Sequence, residues 1–128
     1  ADHPLAARKR LTLKEVAHQQ PIVLGTALPA GRATARALEA AGLAHMPTVE
    51  VMQSSAACAL VAAGVGIGIV ESLGAVYARR QGLAARRLMR VDDLALSLVW
   101  PRHRGMSQPA EDLKTCLIDE ARVLGLDR

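Results

Sequence analysis

The sequence predicts an α/β domain. Compact branched apolar runs recur at Pro21 to Gly25, Thr48 to Met52 and Val65 to Val70, alanine-rich stretches of helical length separate them, and glycine or proline stands at most junctions. Strands that alternate with helices of about ten residues build a mixed, mostly parallel sheet with helices on both faces.

The elements follow in order. Thr12 stands three residues before Glu15, the spacing of a capping box, so a short helix opens there and runs to about His18, where Pro21 ends it. Pro21-Ile22-Val23-Leu24-Gly25 is apolar without alternation, as expected of a strand buried on both faces. A loop from Thr26 to Ala30 leads into a helix over Gly31 to Ala41, stopped by Gly42. His45-Met46-Pro47 turns the chain into a second strand, Thr48 to Met52. Gln53-Ser54-Ser55 then offers hydroxyl caps for a helix to Ala63, with Ala57, Leu60, Val61 and Gly64 on one face. Val65 to Val70 reads as a third buried strand and Glu71 to Gln81 as a helix ending at Gly82. Leu88 to Val91 and Leu94 to Val99 are two further strand candidates around a turn at Asp92-Asp93. A final helix starts after Ser107 or Gln108 and repeats Leu113, Cys116, Leu117, Glu120 and Leu124 at helical spacing.

The 128 residues suffice for one core, on a prior of roughly 100 to 200 residues per domain. Half the residues (51%) are apolar, yet there is no Phe and only Trp100 and Tyr77 are aromatic, so packing rests on small and branched side chains. No apolar run approaches the roughly 18 residues of a membrane span, and the opening ADHPLAARKR has no signal-peptide core, so a soluble, cytoplasmic protein is expected, with no membrane partner. Sixteen basic side chains stand against twelve acidic ones, a net charge of +4, and positive charges cluster at Arg8-Lys9-Arg10, Arg79-Arg80, Arg86-Arg87-Arg90 and Arg102-His103-Arg104. No aromatic residues interleave with them to stack bases, so they read as solvated faces and not as a nucleic-acid surface. Cys58 and Cys116 lack CxxC spacing and read as reduced, buried thiols.

Most chemical motifs fail on order or spacing. Gly64-Val65-Gly66-Ile67-Gly68 follows a helix and lies within a strand, whereas a dinucleotide fingerprint follows a strand and opens a helix, so these glycines are structural. His3, His18, His45 and His103 are scattered without ligand spacing, so neither a metal nor a cofactor is expected. Ser54 and Ser55 lack the flanking glycines of a nucleophile elbow, and Cys58 has no local base, so no catalytic residue is assigned. A small enzyme using Ser54 or Cys58 is the least favoured alternative.

The two serines are better suited to binding. At a strand-to-helix junction they offer hydroxyls, free amides and the positive end of a helix dipole, which favour a small carboxylate or other anion. Thr26 holds the equivalent place after the preceding strand, and the two junctions share one rim if their strands are adjacent and parallel.

The order of elements and their wording resemble the second half of the effector-binding domain of LysR-type transcriptional regulators. The resemblance is carried by His3-Pro4-Leu5-Ala6, by Leu11-Thr12-Leu13-Lys14-Glu15-Val16, by Pro21-Ile22-Val23-Leu24, and above all by the helix-glycine-strand run from Leu60 to Val70. Trp100-Pro101-Arg102 and the helix after Ser107 match the family's closing strand and helix. One departure is Glu71, where many relatives have Pro.

The resemblance implies a periplasmic-binding-protein-like (type 2) lobe. In such regulators a winged helix-turn-helix binds DNA, and a small inducer sits between two lobes of the effector domain. Residues 1–128 would then be a partial effector domain without a helix-turn-helix: about 11–93 the second lobe, 94–102 a crossover strand, and 107–124 a helix that packs on the first lobe. Carried over by position, Thr26, Ala27 and Leu28, with Met52, Gln53, Ser54 and Ser55, would line the inducer side. Self-association through the last helix is expected, since its Leu113, Leu117 and Leu124 face would lack its usual cover. The other function class sharing this fold is a transport-type solute-binding lobe.

Overall fold

The computed structural model describes residues 3–45 and 48–126. The chain separates into two compact units, one running to Leu94 and the other beginning at Ala95.

The first unit holds every assigned strand among the described residues. After a 3-10 turn at Pro4–Ala7 it runs β1 (Arg10–Leu11), α1 (Leu13–Ala17), β2 (Pro21–Leu24), α2 (Pro29–Ala40), β3 (Val49–Val51), α3 (Ser54–Ala62), β4 (Ile67–Gly68), α4 (Ser72–Arg80) and β5 (Arg87–Leu88). A three-stranded sheet has the order β3-β2-β4 and a two-stranded one pairs β1 with β5. Every described pairing is parallel, so the expected mixed sheet is replaced by two small parallel ones. The α/β class stands.

Local chemistry sets several boundaries. Thr12 caps Glu15 while the Glu15 carboxylate accepts from the Thr12 amide at 2.8 Å, completing the capping box that opens α1. Proline at the start of α2 places it two residues earlier than expected, because an N-terminal helical position does not need the missing N–H. Gly42 ends the helix at φ +72°, and the Leu43 amide donates to the Leu38 carbonyl oxygen at 2.8 Å, a Schellman closure. The turn expected at 46–47 lies outside the described residues.

β2 is buried along its whole length, and alternation divides its contacts between two faces. Ile22 is register partner to Gly68, whose missing side chain admits α3: a Cβ there would lie 3.2 Å from Val61 Cγ2. Val23 belongs to the other face and packs with Leu11, Val16 and Ile69, with Leu5, Ile67 and Leu88 at the margin. α3 thus covers one face of the sheet and the α1 side the other.

Three strand expectations are corrected. The third strand shrinks from Val65–Val70 to Ile67–Gly68, since only there does the chain lie beside β2; at Gly66 a Cβ would strike the Gln20 carbonyl oxygen. The strand expected at Leu88–Val91 is observed as Arg87–Leu88, held by β1, where no strand was expected. Leu94–Val99 is not a strand. Residues 91–100 carry no regular structure, because an apolar alternating run becomes a strand only when a neighbour supplies its hydrogen bonds.

The second unit contains α5 (Gln108–Val123), with Ser107 at its N-cap and Pro in its first turn. Lys114 lies 2.6 Å from Glu111 and places its ammonium 5.8 Å from the Trp100 ring centroid, a cation–π distance. Cys116 is exposed, against the expectation of a buried thiol, because the described residues of this unit form no second helix or strand to cover it. Among the described residues no helix is long and apolar enough to cross a membrane.

Candidate functional site

Parallel pairing of β2 with β3 on one side and β4 on the other directs three chain reversals to one edge of the sheet. The ladder continues past the strands, with the Gly25 amide donating to Val51 O at 2.9 Å and the Ile69 amide to Ile22 O at 2.8 Å. Thr26-Ala27-Leu28, Met52-Gln53-Ser54-Ser55 and Glu71 therefore all follow carboxyl ends of adjacent strands, the place where open α/β sheets bind ligands. The adjacency required for Thr26 and the two serines to share a rim is met.

The first loop is held from its own helix. Arg32 donates through Nη1 to the carbonyl oxygens of Thr26 at 3.1 Å and Ala27 at 3.0 Å, while the Leu28 amide closes on Gly25 O at 2.9 Å. Gly25 leaves room for its neighbours at the rim, since a Cβ would lie 2.7 Å from Met52 Sδ and 2.8 Å from Glu50 Oε1. Thr26, Ala27 and Met52 are exposed and Leu28 half-buried.

At the second junction the expected hydroxyl capping is corrected. Gln53 is the N-cap of α3, with no side-chain cap, and Ser54 is the first helical residue. The half-buried Ser54 hydroxyl donates instead to the Glu71 carboxylate, 2.8 Å from Oε1 and 2.7 Å from Oε2. Ser54 lies one residue past the N-cap position, and its hydroxyl proton goes to a charged acceptor, which makes the stronger hydrogen bond. Close approach of α3 and α4 makes this geometry: at Gly74 a Cβ would lie 2.9 Å from Ser54 Cβ. Ser55 stays exposed, with no hydrogen bond from its hydroxyl among the described residues. Glu71 was flagged in the sequence only as a departure from the family pattern; its contact with Ser54, 17 positions away, follows from topology.

A crevice of about 250 Å³ under α2 is lined by Val23, Thr26, Thr34, Leu38, Glu39 and Glu50 among others. It takes in Thr26 but none of Met52 to Ser55, so the predicted residues share a rim without sharing this crevice. Glu39 and Glu50 were not singled out in the sequence, since acidic residues on a helix and an edge strand give no local sign of facing one space.

Cys58 is buried, and its thiol pKa is pushed up, first by burial and then by the negative charge of Glu71. Both effects disfavour the thiolate that nucleophilic catalysis would use. Among the described residues no group of three or more His, Cys, Asp or Glu side chains is placed to hold a metal.

Comparison with known proteins adds the decisive observation. The family model of the LysR substrate binding domain matches residues 1–122. The chain belongs to this family. It is also 30% identical over 105 residues to the transcriptional activator protein LysR of Escherichia coli (strain K12), an alignment covering 82% of this chain and 34% of that protein. The chain thus spans about a third of the length of the regulator it matches. Membership in the LysR substrate-binding family accords with the α/β class and the parallel sheets.

Proposed function

We propose that the chain is the effector-sensing module of a LysR-type transcriptional regulator, and that Thr26, Ala27, Leu28, Met52, Gln53, Ser54 and Ser55 line the effector rim of its second lobe. The observation that carries this reading is the parallel neighbourhood of β2 and β3, which turns both junctions toward one edge in a chain matched over residues 1–122 by the LysR substrate-binding model. The regulator among its relatives favours this function over a transport-type binding lobe and over an enzyme. In this proposal the effector is small, the protein acts in the cytoplasm, and DNA is held by a part of the regulator other than these 128 residues. Residues 94–102 act as the crossover segment, and α5 serves packing against a first lobe or self-association. Binding works by population shift: an effector that prefers one lobe geometry changes how often the regulator adopts it, with no bond made or broken.

The anionic effector expected from the sequence retains the Ser55 hydroxyl and the free amides at the start of α3 as support, while Ser54 is already engaged by Glu71. The test is the thermal midpoint of the protein across a panel of small carboxylates, amines and amino acids. A ligand at 100 times its dissociation constant stabilises the fold by about 2.7 kcal/mol. A shift that Thr26→Ala or Ser55→Ala abolishes supports the rim; a shift untouched by both removes these residues from the site.

A further inference from the structure

Two helix N-termini meet beside Glu71. It is the N-cap of α4 but gives its own helix no side-chain hydrogen bond; both carboxylate oxygens lie instead within 2.8 Å of the hydroxyl on the first residue of α3. The pair is half-buried, locked by the contact of Gly74 against Ser54, and placed on the strand-end rim. An anionic ligand group directed at Ser54 would therefore meet a resident carboxylate where the helix start otherwise favours negative charge.

We propose that Glu71 is a specificity-determining residue of the effector rim, and that the ligand group recognised beside Ser54 is a cationic hydrogen-bond donor, an ammonium or amidinium, and not a carboxylate. The inference rests on the effector-rim reading above and deepens it. Ser54 holds the carboxylate in place by donating its only hydroxyl proton, which leaves oxygen lone pairs on Glu71 for a charged donor. No Lys, Arg or His side chain is hydrogen-bonded or ion-paired to Glu71 among the described residues, so a ligand cation would supply its countercharge. Like charges at contact distance in a half-buried setting repel strongly enough to cost an anionic group about tenfold or more in affinity.

The experiment uses matched probes of opposite charge, benzoate against benzylamine and succinate against 1,4-diaminobutane, titrated calorimetrically into the wild-type chain and the Glu71→Gln variant. Gln keeps an acceptor for the Ser54 hydroxyl and removes the charge. The expected result is wild-type preference for the amines, with their affinity falling about tenfold or more in Glu71→Gln while that of the carboxylates rises. Wild-type preference for the carboxylates that Ser55→Ala weakens would overturn the charge assignment and leave the rim standing. An amine preference unchanged in Glu71→Gln would reduce Glu71 to a structural partner of Ser54. Binding of no probe by either form would overturn the rim reading and this inference with it.

Discussion

Both units of this chain carry apolar patterns, and they treat them differently. In the first, Ile22 is fully buried (0% exposed), and Val16, Val23 and Ile69 close around the sheet. In the second, Leu96 and Leu98 alternate across Ser97 as in a strand, yet Leu96 is 72% exposed, the neighbouring Val99 is 92% exposed, and no described residue of the unit is buried. The difference teaches that hydrophobic pattern is a demand for a partner and not a partner itself. A helix closes most of its own backbone hydrogen bonds, so α5 forms on local chemistry; an extended segment closes none within itself and must find its partners elsewhere.

The comparison breaks most visibly on truncation of its best-buried residue. Ile22→Ala is expected to lower unfolding stability by about 2–5 kcal/mol, whereas Leu113→Ala, at a position 59% exposed, costs less than about 1 kcal/mol. Urea unfolding followed by far-UV circular dichroism measures both. Equal losses would mean that α5 is covered in solution, and a midpoint rising with protein concentration would assign that cover to a second copy of the chain.

A smaller effect sharpens the local half of the argument. Thr12→Ala removes the capping box of α1 and is expected to cost about 1 kcal/mol. The Glu15 pKa is lowered, first by the hydrogen bond from the Thr12 amide and then by the Thr12 hydroxyl, with Arg8 adding a small Coulombic contribution. A depressed folded-state pKa contributes stability that is present above the ordinary carboxylate range and is lost as pH falls through the folded value. Stability should therefore decline on the acid side in wild type, and Thr12→Ala should flatten that decline by moving the Glu15 pKa back toward its usual value. An NMR titration of Glu15 in both forms reads the shift directly.

The smallest expected effect concerns Arg36 and Asp92, paired at 3.1 Å but with 67% and 71% of their side chains exposed. Solvent screening leaves such a pair worth under about 1 kcal/mol, so Asp92→Asn should leave the urea midpoint nearly unchanged. A large loss would identify the turn after β5 as an anchor of the first unit.

What the amino-acid order determined was whatever closes over a few residues. The Thr12–Glu15 capping box, the Gly42 stop, proline at the start of α2, the fully buried run of β2 and the start of α5 were all legible, because each answers to its immediate neighbours. The Leu60 to Val70 run also announced the LysR substrate-binding family. Tertiary structure alone decided that Arg10–Leu11 pairs with Arg87–Leu88, that Leu94–Val99 is no strand, and that Ser54 turns from its own helix to Glu71. Strand pairing and cross-chain hydrogen bonds join residues far apart in sequence, and nothing in either partner alone records which distant group the fold brings within reach.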